Sequence, residues 1–207
     1  MTTFIATLRR VTVTAGMLLL LNSTVCAAGA PTDQLKTTVD AILATLAKKD
    51  ITRDARRAEI TTLIRERFDF RTMSQLTLAT NWKNMNDAQK DRFVELFSQL
   101  LQESYMGRIE AYTDEKISFV GEKLKNDKAQ VDTRIATKTV EIPIDYKLVQ
   151  SGDKWLVYDV VIEEVSLIRS YRNSYDEVVK KDGADGLFKK MEEKLVELRN
   201  APPPTKS

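Results

Sequence analysis

Two carboxylates stand where this sequence could do chemistry. Asp159 interrupts the apolar run from Trp155 to Val165, and Asp145 lies on the alternating segment before it, a placement that would serve a general acid and base. The rest of the composition narrows the chemistry. There is no histidine, and the one cysteine, Cys26, falls in an apolar N-terminal stretch. Histidine-dependent triads, thiol nucleophiles and the usual zinc and haem ligand sets are therefore excluded once that stretch is removed. Carboxylate, lysine, tyrosine or serine work remains. The alternation around Asp145 turns it outward, and Asp159 can bond a nearby backbone, tyrosine or arginine group, so structural roles are expected and no catalytic residue or cofactor is assigned. Glu163-Glu164 reads as a solvated strand end. Arg169 and Arg172 follow near the start of a helix, where they either meet an anionic group or stay solvated, the latter expected for Arg169.

The elements that must position these groups begin after residue 28. Residues 1–28 read as a secretory signal peptide, with Arg9 and Arg10 as the basic region, Val11 to Val25 as the apolar stretch, and Ala27 and Ala28 for cleavage. Val25 and Ser23 do not suit a lipobox around Cys26. The stretch holds two arginines and no acid, so the formal charge of +2 falls to zero on its removal, which argues against a nucleic-acid binder. Residues 29–200 suffice for one domain with a real core and need no disulfide staple. No later apolar run approaches the ~20 residues that span a bilayer, so an exported, soluble protein of a bacterial periplasm is expected. Residues 201–207 are too short and proline-rich to fold.

Within 29–200, Thr32 or Asp33 can cap a helix carrying Leu35, Val39, Ile42, Leu43 and Leu46 at helical spacing. A second helix covers Arg53 to Arg67. A third, short one starts around Phe68-Asp69-Phe70 with Asp69 as its cap and Met73, Leu76 and Leu78 inward, and Trp82 closes it. Asn86 and Gln89 make a capping box, with Met85 as a staple. The long helix that follows, from Asp87 to about Tyr112, is about 39 Å long and presents Phe93, Leu96, Phe97, Leu100, Leu101, Tyr105 and Ile109.

Beyond Asp114 the period changes to two. Ile117 and Phe119, then Val131, Thr133 and Ile135, then Val140 through Leu148 alternate with polar residues, and Ser151-Gly152-Asp153 turns into the run from Trp155 to Val165. That last run is apolar on both faces and is expected to lie centrally, covered on each side. Ser166 caps a helix that Gly183 ends, and a final helix from about Asp185 carries Leu187, Phe188, Met191, Leu195 and Leu198. The fold class is α+β: about four antiparallel strands in a curved sheet packed against several helices.

Trp155, Tyr158-Asp159-Val160, Glu163, Val165-Ser166-Leu167 and Tyr171-Arg172 follow a W..YDv.ieGvSlv..YR pattern, and Phe68-Asp69-Phe70 with Met73-Ser74 follows fDf..ms, with Trp82-Lys83 after it. In these features, from about Phe68 to Leu195, the sequence resembles the MlaC family of periplasmic lipid carriers. It departs from the pattern at two glycines, with Glu164 at one and Ala79 near the other.

The resemblance implies a soluble phospholipid shuttle between an outer-membrane lipoprotein complex and an inner-membrane ABC transporter with MCE domains, acting as a monomer to maintain outer-membrane lipid asymmetry. Such a carrier must offset most of the ~0.8 kcal/mol per methylene, on the order of 20 kcal/mol for two acyl chains, that water would exact. It therefore needs an apolar cavity between sheet and helices with the head group near solvent. The candidate lining is Phe97, Leu101, Tyr105 and Ile109 from the long helix, with Val131, Ile135, Ile144, Tyr146, Trp155, Val157 and Val165 from the sheet. Either face of the last strand can look inward at this level. The alternatives are a periplasmic adaptor with a filled core and a carboxylate-based enzyme on a cone-shaped α+β fold.

Overall fold

A computed structural model describes residues 29–201 of the 207-residue chain. The expected signal peptide and all of the expected tail beyond Ala201 lie outside the described residues. Helix α1 spans Pro31–Ala47, α2 Arg53–Arg67, α3 Phe70–Leu78, α4 Thr80–Lys83 and α5 Asp87–Glu110. Strands β1 Lys116–Lys125, β2 Lys128–Ala136, β3 Glu141–Ser151, β4 Lys154–Ile162 and β5 Val165–Ser166 follow, and α6 Leu167–Asn200 closes the fold. The sheet is an antiparallel meander in the order β1-β2-β3-β4-β5.

Local chemistry accounts for most helix ends. The Thr52 hydroxyl accepts the Ala55 amide at 3.2 Å, Asp69 accepts that of Thr72 at 2.9 Å, and Ser166 accepts that of Arg169 at 3.1 Å. Asn86 and Gln89 bond each other's backbone reciprocally, as their spacing predicts. Helix α1 differs from expectation. It starts at Pro31 with Ala30 before it, and neither Thr32 nor Asp33 caps it. The cap comes instead from across the fold, where Glu122 of β1 accepts both the Thr32 amide at 2.9 Å and the Thr32 hydroxyl at 2.6 Å. Proline at the first position needs no amide partner, and a carboxylate suits the positive end of the helix.

Two apolar clusters form. Helices α3, α5 and α6 bury Phe70, Met73, Phe93, Phe97, Leu187 and Phe188 among others. The sheet buries Ala129, Val131, Leu148, Trp155, Val157 and Val160 against Leu35 of α1. Phe68 packs on both and joins them. Helix α6 is broken at Gly183, whose φ of 70° lies outside the helical region, so the segments on either side pack as two pieces.

The last long strand is shorter and less central than its sequence suggests. It stops at Ile162, and Glu163 and Glu164, with φ of 48° and 67°, make a two-residue turn into β5. Positive φ at both positions is the geometry such turns require, and it is why the related pattern carries glycine here. Past β5, the free edge of β4 is covered by side chains and by the Phe68 segment. The Asp69 amide donates to the Val157 carbonyl at 2.9 Å, Gln34 Oε1 accepts the Trp155 amide at 2.9 Å, and Arg67 Nη1 donates to the Trp155 carbonyl at 2.7 Å. At the other end of the sheet, Val140 lies before β3 and is exposed rather than facing inward.

Candidate functional site

Strand register places the inward side chains in rows. One row runs Ala129–Leu148–Val157, the next Val131–Tyr146–Val160, and both pack in one cluster with Leu35 of α1 and with Phe68. Beyond them lie Phe119–Thr133–Ile144–Ile162–Val165 and Ile117–Ile135–Ile142. The isoleucines and Phe119 in these outer rows are only half-buried, and Val165 is 57% exposed. One end of the sheet face is therefore a filled core, and the other is an aliphatic band that the helices leave incompletely covered. A continuous apolar surface of that kind is held open at a cost in free energy unless a ligand or partner covers it.

A bulge decides which residues of β4 take part. Lys147 faces both Tyr158 and Asp159, because the register steps from Leu148↔Val157 to Lys147↔Asp159. The inward phase thus passes from Trp155 and Val157 to Val160 and Ile162. Strict two-residue alternation misses these last two, and no single residue in the sequence marks the slip.

The same bulge turns Asp159 to the opposite face, beneath the first turn of α6. There it accepts the Ser166 hydroxyl at 2.8 Å, the Ile168 amide at 3.3 Å and Lys147 Nζ at 3.1 Å. Asp145 is on that face too, 3.5 Å from Arg134 Nη1. Every close partner of Asp159 is a structural element of the fold. Arg172 is occupied as well, since its Nε donates to the Leu76 carbonyl at 2.9 Å near the end of α3. Among the described residues no three histidine, cysteine or acidic side chains gather as a metal site, and no helix is long and apolar enough to cross a membrane.

Of the residues singled out from sequence, Phe97, Val131 and Val157 have no accessible surface, and Leu101 and Trp155 almost none. Tyr105, Ile109, Ile135, Ile144 and Tyr146 are half-buried, with Ile135 and Ile144 in the outer rows and Tyr146 at the border between filled and open parts. Val165 sits past the turn in β5.

The tyrosines add a second signal. Among the described residues, which hold all six tyrosines, only Tyr112 donates its hydroxyl to a protein acceptor, the Glu115 carbonyl. Burial alone pushes the Tyr146 phenol up to about 12. Burial raises that of Tyr175 further, with the neighbouring Tyr171 adding to it, and burial also raises that of Tyr105. No tyrosine oxygen is among the fully buried polar atoms without a partner in the described residues, so these hydroxyls reach accessible surface while their rings are enclosed.

An α+β domain with a half-covered aliphatic sheet face and the Tyr146 phenol at its border has the features of a binding protein for an amphipathic ligand. The family model described as MlaC protein matches residues 36–193, and the chain belongs to the MlaC family. It is 26% identical over 123 residues to the intermembrane phospholipid transport system binding protein MlaC of Haemophilus influenzae, an alignment covering 56% of this chain and 57% of that one. The chain thus spans somewhat more than half the length of the curated relative it matches. Its fold is similar to that of the phospholipid-binding protein from Ralstonia solanacearum, solved in complex with a phospholipid. The TM-score is 0.75 at 22% identity, over 82% of this chain and 99% of the other.

Proposed function

We propose that this protein is a soluble phospholipid carrier that holds acyl chains against the outer rows of its sheet. The observation that carries the reading is the aliphatic band Ile117, Ile135, Ile142, Ile144 and Ile162, contiguous across four strands and only half-buried. Membership of the MlaC family supports it. The lining proposed from this band adds Ile142 and Ile162 to Tyr105, Ile109, Ile135, Ile144 and Tyr146, while Phe97, Val131 and Val157 supply the packed wall behind. Opening the space further requires the helical cluster to move relative to the sheet cluster, and Phe68, shared by both, lies at that seam.

In the cell this carrier would work in the periplasm, entered by way of the signal peptide at 1–28. It would receive lipid at one membrane and release it at the other, between an outer-membrane lipoprotein complex and an MCE-type ABC transporter. A carrier needs binding that nearly balances membrane insertion, and a band left half-covered provides reversible rather than permanent burial. No catalytic step is assigned, because the buried carboxylate Asp159 is fully engaged in holding α6. Native mass spectrometry of the mature protein purified without detergent tests the reading. Co-purifying phospholipid at about one per chain is expected. A chain that carries none and takes up none from added vesicles overturns it.

A further inference from the structure

We propose that the Glu110 carboxylate, held between Arg53 and Arg57, latches the α1–α2 hairpin against α5, and that release of this latch opens the aliphatic band to lipid. The assignment deepens the carrier reading and rests on it. Helices α1 and α2 form one unit, since Glu59 Oε1 accepts the Thr45 hydroxyl at 2.9 Å and Arg56 Nη2 donates to the Lys48 carbonyl at 2.7 Å. The base of this hairpin is fixed to the sheet. Arg67 Nε donates to the Thr38 hydroxyl at 2.9 Å, and its Nη1 donates to Gln34 Oε1 at 2.9 Å and to the Trp155 carbonyl at 2.7 Å. Leu35 of α1 packs in the sheet cluster, and Phe68, next to Arg67, joins that cluster to the helical one.

The tip is held differently. Arg53 and Arg67 stand at opposite ends of α2, about 21 Å apart at the helical rise. The first six residues of α2, from Arg53 to Ala58, offer only Ala55 and Ala58 as apolar side chains, and both are exposed. In place of apolar contact, Arg53 makes a two-pronged pair with Glu110, Nε at 3.0 Å and Nη2 at 2.8 Å, and Arg57 Nε joins at 3.1 Å. Nearer the base, the same seam is again polar, with Arg65 at 3.1 Å from Glu95 and 3.2 Å from Ser98 Oγ. Glu110 is the last residue of α5, where the helix dipole disfavours a carboxylate, and the two guanidiniums offset that cost. Its side chain is 15% exposed, so solvent screens the contact less than it screens a pair on the open surface.

Position gives the latch its consequence. Beyond Glu110 the chain enters β1 at Lys116, and Ile117 belongs to the outermost aliphatic row. Helix α1 starts toward the other end of the sheet, where Gln34 Nε2 donates to the Asp153 carbonyl in the β3–β4 turn at 2.9 Å, so it runs toward the open end. Val39, Ile42, Leu43 and Leu46 follow Leu35 at helical spacing, are half-buried, and pack in neither apolar cluster. An aliphatic stripe above an aliphatic sheet band makes two walls of one cleft. Phe68 ties the sheet side to the helical side at the hairpin's base, and Glu110 ties them at its tip. An ionic tie can part and reform without leaving a void, which a packed contact cannot do.

The test follows transfer of pyrene-labelled phosphatidylglycerol between vesicles by the mature chain from residue 29, which carries no cysteine. Glu110→Gln is expected to speed transfer roughly threefold to tenfold while lipid content at saturation stays near that of wild type. Arg57→Gln, which keeps the carboxylate, carries the same expectation, and circular dichroism checks that both are folded. Asp91→Asn breaks another interhelix pair, Arg71 to Asp91 at 2.7 Å, and is expected to leave the rate unchanged. Arg53→Cys with Glu110→Cys, bridged by a short bismaleimide containing a cleavable disulfide, is expected to stop transfer. Reduction of the bridge should restore it, which also shows that the bridged protein was folded. Wild-type rates in both folded latch variants, equal acceleration by Asp91→Asn, or transfer undiminished by the bridge overturns the latch and leaves the carrier standing. A wild type that transfers no phospholipid overturns both.

Discussion

Asp159 accepts the hydroxyl of Ser166 at 2.8 Å across the turn between β4 and α6, so the side chain that caps the helix is itself held by the strand it leaves. Asp159 is 5% exposed, and its carboxylate also receives the Ile168 amide at 3.3 Å. A buried charge at a helix N-terminus is stabilised by the unpaired amides and the dipole there, with Lys147 completing the balance. This joint fixes the start of α6 against β4.

Asp159→Asn keeps the shape but loses the charge, and should cost about 1–3 kcal/mol in urea denaturation. Equal stability of variant and wild type would free Asp159 for another role.

Glu164, at one glycine of the family pattern, and Ala79, near the other, both have positive φ, 67° and 49°. A side chain there is strained by about 1–2 kcal/mol, and the extra freedom of glycine in the unfolded chain returns part of the gain. Ala79→Gly and Glu164→Gly should each raise stability, by roughly 1 kcal/mol for Ala79, and their effects should add because they sit in separate turns. Thermal melts of the single and double variants check both statements.

Ile144→Glu or Ile135→Glu places a carboxylate in the proposed acyl-chain band, where its desolvation is costly. Either variant should purify with little phospholipid, whereas Val120→Glu, at a position 56% exposed, should retain it. Mass spectrometry of extracted lipid reads the difference. Full lipid content in Ile144→Glu would move the site off the outer rows.

Tyr146 sets an alkaline dependence whose sign follows from its raised value. The folded state holds the phenolic proton more tightly, with a pKa of about 12 against 10.0 for the free side chain. The stabilisation is whole below the unfolded value and is lost as pH rises from there through the folded one. Tyr146→Phe should flatten the fall in stability over that window, leaving the part owed to Tyr105, Tyr112 and Tyr175, whose phenols burial also raises. Phenolate absorbance during alkaline titration follows the same groups directly.

Much of the fold was legible because its signals are local. The capping box at Asn86 and Gln89, the caps Asp69 and Ser166, and the break at Gly183 each depend on residues within a few positions. Helical and strand periods needed only the pattern of apolar residues. The cap of α1 was not legible, because Glu122 reaches Thr32 from ninety positions away in the chain. Nor was the role of Arg172, whose acceptor, the Leu76 carbonyl, is a backbone atom on another helix.

By itself the sequence determined the class of this protein: an α+β domain without histidine or thiol chemistry, its helices and strands laid out by periodicity and its family marked by the run from Trp155 to Arg172. Tertiary structure alone decided which apolar residues are filler and which are surface. Periodicity reports only that a side chain faces inward, and Val131 and Ile135 look alike in that respect. Their difference arises because Val131 packs in one cluster with Leu35 of α1 while Ile135, two rows on, lies outside it, and because the bulge at Tyr158 and Asp159 carries Val160 and Ile162 inward while turning Asp159 toward α6. Both effects depend on how distant segments meet, and neither leaves a mark on any short stretch of the chain.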